Sequence, residues 1–116
     1  MIVSQQVIDF CASHGIDGHR GYLSGLFLEE MAANVVEHGF KKDSKSHTVD
    51  IRVIHKQDEI ILRIKDDCIP FDPAERLEIF DPKDKMKNEG IRMVYKGAQD
   101  IRYQNILGLN VLTIYI

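Results

Sequence analysis

The spacing of hydrophobic residues predicts that the N-terminal part of the chain is helical. Apolar residues recur with the period of a helix over Ile2–Ala12 and, in a longer stretch, over Tyr22–His38. A glycine-rich segment separates these two predicted helices, and Gly39 stands where a glycine commonly ends a helix. The polar residues 41–47 that follow are predicted to form a turn.

Alternation of apolar and polar residues predicts strands in the next part of the chain. Thr48–His55 and Glu59–Asp66 both alternate in this way and are rich in β-branched side chains. Because only a short polar turn separates them, they are predicted to pair as an antiparallel hairpin. The final segment, Asn110–Ile116, has a similar composition and is predicted to be a further strand.

A long segment without clear periodicity lies between the hairpin and the C-terminal strand. Cys68–Gly90 contains all three prolines of the chain and much of its charge, which predicts a loop with one short helix near Ala74–Phe80. Helical periodicity returns over Ile91–Ala98. This order of elements predicts an α/β (α+β) two-layer sandwich, in which helices cover one face of a mostly antiparallel sheet.

Length and composition limit the classes of function. A chain of 116 residues is predicted to be one domain, residues 1–116, and a role as a module of a longer protein is left open. The net charge of -3, without a dense block of Lys and Arg, argues against nucleic-acid binding. The sequence shows no signal peptide and no apolar run that would span a bilayer, which predicts a cytoplasmic domain without membrane contact. Cys11 and Cys68 show neither a C-x-x-C motif nor Cys/His zinc spacing.

Polar side chains recur every four residues near the end of the second predicted helix. Glu30, Asn34 and His38 fall within about 80° of one another on a regular helix. Earlier turns of the same sector carry the apolar residues Leu23 and Phe27. Two interpretations are open: the helix leaves the core and exposes the three polar residues at a wet edge, or these residues line a polar pocket beside the core.

Two further features have both a functional and a structural interpretation. Asp66 and Asp67 end an apolar strand and precede a loop that contains proline, where a carboxylate either accepts hydrogen bonds from a ligand or simply starts a turn. Gly90 directly precedes the third predicted helix, whose first backbone N–H groups would receive a phosphate. A plain loop-to-helix joint is the alternative there.

Taken in order, these segments resemble three sequence boxes of the GHKL (Bergerat-fold) ATPases, the superfamily of histidine kinases, DNA gyrase and heat-shock chaperones. The boxes read E-x-x-x-N-x-x-x-H-G, D-x-G-x-P-F-D-P and G-x-G-[IL]-x-[LM]-[VI]. The matching residues are, box by box, Glu30, Asn34, His38 and Gly39; Asp66, Pro70, Phe71, Asp72 and Pro73; and Gly90, Ile91, Met93 and Val94. The chain looks most similar to the branch of anti-sigma-factor serine kinases.

The resemblance implies that the chain binds ATP together with Mg²⁺. Asp66 would accept a hydrogen bond from the adenine amino group and so select adenine over guanine, and Thr113 on the last strand would lie beside Asp66 and support the base. Other residues that match or interleave with the boxes are implied to contact the nucleotide: Cys68, Ile69, Phe71, Gly90, Ile91 and Met93.

The resemblance also implies roles at the phosphate end. Asn34 would hold Mg²⁺ through its side-chain oxygen. Glu30 would orient or deprotonate the attacking hydroxyl or water. His38 would either form part of the pocket wall or stabilise the C-terminal end of its helix. The loop Asp72–Glu89 would form a lid over the phosphates, and Gly90 would begin the helix that receives them.

The implied function is phosphorylation of a serine or threonine on a regulatory protein partner, either an anti-sigma antagonist-like or a sigma-like protein. Two positions depart from the boxes, because Cys68 and Asn88 stand where the family carries glycine. They favour an alternative: a degenerate GHKL scaffold with weak or no nucleotide binding that acts as a protein-interaction module. A structural role as a homodimer or as a docking partner for a neighbouring domain is also left open.

Overall fold

Helices form one layer of the structure, a computed structural model that describes residues 2–40, 45–77, 83 and 88–116. These helices are α1 (Ile2–Ser13), α2 (Gly18–Val35), which continues into a π-helical turn (Val36–Phe40), and α3 (Glu89–Gly97). A short 3₁₀ helix spans Pro73–Arg76.

Among the described residues, four antiparallel strands form the second layer. They are β1 (Val49–Lys56), β2 (Glu59–Asp66), β3 (Asp100–Ile106) and β4 (Leu109–Tyr115). Their order across the sheet is β1-β2-β4-β3, so β4 runs between β2 and β3. The register of this pairing sets Asp66 of β2 opposite Asn110 of β4. Both residues therefore lie at the same end of the two central strands.

The hydrophobic core lies between the helices and one face of the sheet. Its centre is formed by side chains that are at most 1% exposed: Phe27, Leu28 and Met31 of α2, and Ile60, Leu62 and Ile64 of β2. Burial of a side chain of this size stabilises the fold by about 1.5–3 kcal/mol. This core fixes α2 against β2 and so determines where the end of α2 meets the end of the strand.

The two-layer sandwich predicted from the order of elements is confirmed. α2 begins at Gly18, earlier than predicted, because Asp17 caps it: Oδ1 of Asp17 accepts a hydrogen bond from the backbone N–H of Arg20 at 3.0 Å. β3 was not predicted, since only Ile101 and Tyr103 of its inward-facing side chains are large and apolar.

Parts of two predicted elements lie outside the described residues. These are residues 41–44 of the predicted polar turn and residues 78–80 of the short helix predicted in the long loop. Where the loop is described, it contains the 3₁₀ helix Pro73–Arg76. None of the helices in the described part of the chain is both long and apolar enough to cross a membrane.

α3 packs against α2 through Gly97 and Phe27. A Cβ atom built on Gly97 would lie 2.5 Å from Cζ of Phe27, closer than two non-bonded carbon atoms approach. Phe27 is 1% exposed, so its ring is held by the core around it. Glycine at this position therefore allows the close approach of the two helices, and this contact fixes the position of α3.

Gly97→Ala is expected to destabilise the protein by roughly 1–3 kcal/mol through overpacking against Phe27. The higher helix propensity of alanine, about 1 kcal/mol, will offset part of this cost. The matched control is Gly18→Ala in α2, where nothing lies within 4 Å of the added Cβ. Urea denaturation gives the free energy of unfolding of each variant. If the two variants proved equally stable, α3 would not be packed on Phe27 as described.

Candidate functional site

Two adjoining pockets lie between α2, the loop after β2 and the start of α3. The first has mostly apolar walls, formed by Met31, Val35, Ile64, Ile69, Phe71 and Leu112. Asn34, Asp66 and Asn110 supply polar groups to it. Its cavity volume is about 20 Å³, close to the roughly 10–15 Å³ that a single water needs. The apolar pocket is therefore a narrow slot.

Asp66 lines the apolar pocket with one carboxylate oxygen held and the other available. Its Oδ1 accepts hydrogen bonds from the backbone N–H of Cys68 at 3.0 Å and from Nδ2 of Asn110 at 2.9 Å. Neither bond involves Oδ2, which has no hydrogen-bond partner among the residues described. Asp66 is only 7% exposed, so its carboxylate lies in a largely desolvated space.

Asn110 holds the loop after β2 in place. Its Nδ2 also donates to the backbone carbonyl oxygens of Cys68 at 3.2 Å and Ile69 at 3.0 Å. Its Oδ1 accepts a hydrogen bond of 2.5 Å from the Tyr103 hydroxyl, which in turn accepts one of 3.0 Å from the backbone N–H of Phe71. Side chains of β3 and β4 thus fix the shape of the loop that forms one wall of the apolar pocket.

Thr113 does not lie beside Asp66, contrary to what the resemblance implied. It is in register with Arg63 of β2 and Arg102 of β3 and points to the face of the sheet that the helices leave uncovered. It lines neither pocket. Asn110 instead stands opposite Asp66. The sequence analysis did not identify Asn110. Its position beside Asp66 follows from the strand register that pairs the end of β2 with the start of β4.

Cys68 lies between the apolar pocket and the π-helical turn after α2. A Cβ built on Gly39 would lie 2.8 Å from Sγ of Cys68, so the thiol packs directly against the backbone of that turn. Cys68 is 4% exposed and lines the apolar pocket. Cys68, which stands where the second box carries glycine, therefore fits because residue 39 has no side chain. The Cys68 side chain also narrows the apolar pocket.

The second pocket is polar and larger, with a cavity volume of about 200 Å³. Glu30, Asn34 and His38 line it from the end of α2 and the π-helical turn, and Gly90 and Ile91 line it from α3. The residues of the first and third boxes therefore meet in one place. Asn34 lines both pockets, so it marks the junction between them.

Asn34 carries buried polar atoms that the described residues do not satisfy. The residue is 5% exposed, and neither Oδ1 nor Nδ2 has a hydrogen-bond partner in the described part of the structure. An unsatisfied buried polar group costs about 1–3 kcal/mol. Because native structures rarely keep such groups without a reason, an amide of this kind at the junction of two pockets points to a ligand.

Glu30 lies against the N-terminus of α3. A Cβ built on Gly90 would lie 1.9 Å from Oε2 of Glu30, so the carboxylate occupies the space directly over this glycine. The N-terminus of a helix favours negative charge, because its first backbone N–H groups lack helical partners and the helix dipole is positive there. The polar pocket therefore contains a surface that suits an anion.

Asn88 adds a second unsatisfied donor to the polar pocket. It precedes α3 in the left-handed conformation, with φ 63° and ψ 17°, which asparagine tolerates better than other non-glycine residues. Asn88 thus adopts a left-handed conformation at the position where the third box carries its first glycine. Nδ2 of Asn88 is buried, and no hydrogen-bond partner for it is found among the described residues.

The remaining predicted site residues divide between the pockets and the core. His38 lies in the π-helical turn rather than on the α-helical stripe, and its ring centroid is 6.3 Å from that of Phe71. Ile69 is 45% exposed at the rim of the apolar pocket. Met93 packs against the hydrophobic core and lines neither pocket.

The described part of the predicted lid begins beside the apolar pocket. Oδ1 of Asp72 accepts a hydrogen bond of 3.0 Å from the backbone N–H of Ala74 and so caps the 3₁₀ helix. The Arg76 guanidinium lies over the Phe71 ring, 4.8 Å from its centroid, which is a cation–π contact. Residues 78–82 and 84–87 of the predicted lid lie outside the described residues.

The fold is similar to that of a solved histidine kinase. The match is the histidine kinase domain of the blue-light-activated histidine kinase of Erythrobacter litoralis EL346, with a TM-score of 0.62 and 16% sequence identity. It covers 87% of this chain and 48% of that one, so the chain spans about half the length of the solved structure. No protein of curated function matches the chain.

The sequence itself matches a family model. The match runs over residues 3–116 and is to the histidine kinase-like ATPase domain. It includes every helix and strand described above except the first residue of α1. The chain therefore belongs to the family of histidine kinase-like ATPase domains, of the GHKL type.

Proposed function

We propose that this domain binds ATP with Mg²⁺ across the two pockets and transfers the γ-phosphoryl group to a serine or threonine of a regulatory partner protein. Family membership supports an ATP-binding, kinase-like function. Asn34 is the observation that carries the proposal. Its buried amide finds no partner among the described residues and lies where an apolar pocket meets a polar one.

The apolar pocket would take the adenine base. Apolar walls with a few placed polar groups are typical of sites for flat organic ligands. Oδ2 of Asp66 would accept a hydrogen bond from the adenine amino group, and the 2.9 Å bond from Asn110 to Oδ1 would hold the carboxylate in this orientation. Guanine would place a carbonyl oxygen against the same carboxylate, so Asp66 would select adenine.

The polar pocket would take the phosphates and the metal. The N-terminus of α3 and Nδ2 of Asn88 would donate hydrogen bonds to phosphate oxygens. Oδ1 of Asn34 would be the protein's ligand to Mg²⁺, an ion that commonly keeps few protein ligands beside phosphate oxygens and water. When bound, Mg²⁺ would supply charge neutralisation at the phosphates.

Glu30 would act on the acceptor hydroxyl. It lies one helical turn before Asn34 and lines the same pocket, so its carboxylate faces the proposed phosphate end. A carboxylate in this position orients the nucleophile and takes up its proton. The acceptor Oγ would form the new P–O bond while its proton passes to Glu30 and ADP departs. Positioning and charge stabilisation supply most of the catalysis in such transfers.

The acceptor would be a protein of the regulatory type that the sequence resemblance implies. The three boxes look most similar to those of anti-sigma-factor serine kinases, whose partners would be anti-sigma antagonist-like or sigma-like proteins. The domain, residues 1–116, would meet such a partner as a monomer or as a homodimer. The polar pocket, where Glu30 lies, is the place where the acceptor side chain would have to arrive.

Asn34→Ala is expected to abolish Mg²⁺-dependent ATP binding. The fold should change in stability by less than about 1 kcal/mol, because the lost packing is offset by removal of an unsatisfied buried amide. Calorimetric titration of ATP with and without Mg²⁺ measures the first effect, and urea denaturation measures the second. Gln104→Ala, at an exposed position of β3, is the control. Unchanged Mg-ATP affinity in Asn34→Ala would remove Asn34 from the site.

Glu30→Gln keeps the size of the side chain and removes its ability to take a proton. ATP affinity should stay within a few-fold of the original, and turnover should fall by roughly 100-fold or more. Turnover is measured as transfer of labelled γ-phosphate to protein or as phosphate release. Glu59→Gln, at the exposed start of β2, is the matched control. Undiminished turnover in Glu30→Gln would show that another group acts as the base.

A scaffold that has lost nucleotide binding is the second candidate function, and Cys68 is the observation that favours it. Its thiol lines an apolar pocket whose cavity volume is about 20 Å³, too small for a base without movement of the walls. Such a domain would act through protein contacts alone. The two candidate functions predict different Mg-ATP affinities for a variant that lacks the Cys68 thiol.

Cys68→Gly is expected to widen the apolar pocket and to tighten Mg-ATP binding about tenfold, or about 1.4 kcal/mol. The free energy of unfolding should fall by roughly 1–2 kcal/mol, because a buried side chain is lost and glycine costs backbone entropy. Calorimetric titration compares this variant with the original protein and with Cys11→Ala, a control at a buried residue of α1 that lines neither pocket. Absence of binding in both the original protein and Cys68→Gly would favour the scaffold.

A further inference from the structure

The open end of the β1–β2 hairpin brings three metal-ligating side chains together. Val49 and Asp66 are the last paired residues of the hairpin, and beyond them the backbone N–H of Thr48 donates to the side-chain Oδ1 of Asp67 at 3.1 Å. His47 directly precedes Thr48 in the sequence, and Cys68 directly follows Asp67. One potential ligand atom from each of His47, Asp67 and Cys68 lies within 4.8 Å of the other two.

Two of the three side chains, those of His47 and Cys68, are buried, and the third, that of Asp67, is open to solvent. The side chain of His47 is 5% exposed and Cys68 is 4% exposed, whereas the Asp67 side chain is 41% exposed. A nitrogen and a sulfur are thus held inside, and a carboxylate stands at the surface. Nδ1 of His47 already lies 3.1 Å from Oδ1 of Asp67. An ion would therefore reach the buried pair from the side of the carboxylate.

We propose that His47, Asp67 and Cys68 form a binding site for Zn²⁺. Imidazole nitrogen, thiolate sulfur and carboxylate oxygen are the ligands that Zn²⁺ takes in proteins. Bond lengths of about 2.0–2.3 Å in a tetrahedral site place ligand atoms roughly 3.4–3.6 Å apart. Side-chain rotations that close a gap of about 1 Å within the cluster would reach this geometry. Water would be the fourth ligand.

The chemistry of the cluster distinguishes Zn²⁺ from Mg²⁺. Mg²⁺ takes oxygen ligands in near-octahedral geometry, and two of the three atoms here are nitrogen and sulfur. Zinc binding requires the thiolate, so the Cys68 thiol gives its proton to solvent when the Zn–S bond forms, and no electron is transferred. Zinc affinity should therefore rise with pH. The site is separate from the proposed Mg²⁺ position at Asn34, and it shares Cys68 with the wall of the apolar pocket, so the test is made without nucleotide.

The test uses nucleotide-free protein in two titrations. ZnCl₂ is titrated in competition with a chromophoric chelator, and CoCl₂ is titrated while thiolate-to-cobalt charge-transfer absorption is recorded. Cys68→Ser, His47→Ala and Asp67→Asn are each expected to weaken zinc binding by at least about tenfold. Cys68→Ser should also abolish the charge-transfer band. Asp67→Asn is isosteric at an exposed position, so it tests the site even if a change at a buried ligand impairs folding.

Matched controls come from residues of the same types elsewhere in the chain. Cys11→Ser removes the other cysteine, which belongs to the hydrophobic core and is not part of the cluster. His14→Ala removes a histidine that lies 5.8 Å from the ring of His55 and would account for adventitious zinc. Both variants should bind zinc as the original protein does. Unchanged affinity in Cys68→Ser and Asp67→Asn, loss of binding in His14→Ala, or no charge-transfer band in the original protein would overturn the proposal.

Discussion

The pairing of β2 with β4 is the constraint on which both the sheet and the site depend. It sets Asp66 opposite Asn110, so that a buried carboxylate meets a buried amide at 2.9 Å. A buried carboxylate without such partners would cost several kcal/mol or become protonated. The same amide also holds the carbonyl groups of the loop after β2. A slip of one residue would turn Asn110 to the other face of the sheet and remove both supports together.

The two pockets that meet at Asn34 are built from different parts of the fold. The apolar pocket is built by the core itself, because Met31 and Ile64 belong both to the core and to its wall. The polar pocket is built from helix ends, where backbone groups are unpaired by construction. Asn34 lines both pockets, and its buried amide is energetically unfavourable because neither polar atom has a partner in the described structure. Part of the binding energy of a ligand would therefore be relief of an unfavourable state of the protein.

Features that depend on local spacing were predictable from the sequence, and features that depend on long-range register were not. Helical periodicity places Glu30 and Asn34 on one stripe, and the structure has both in one pocket. Asp66 and Asn110 are 44 positions apart and meet only through the strand pairing, whereas the resemblance to the family implied Thr113 at this place. The spacing of cysteine and histidine residues in the sequence does not predict the proposed zinc site either. His47 and Cys68 are distant in sequence, and the hairpin brings them together.

Contact between Glu30 and Gly90 makes these two positions interdependent in evolution. Any side chain at position 90 would meet the carboxylate, since even a Cβ would lie 1.9 Å from it. A side chain at position 90 would require the flexible end of the Glu30 side chain to turn away from the N-terminus of α3. Selection for the present position of this carboxylate would thus also act on position 90. In a relative, a larger residue at position 90 would indicate that this acid had already been lost or displaced.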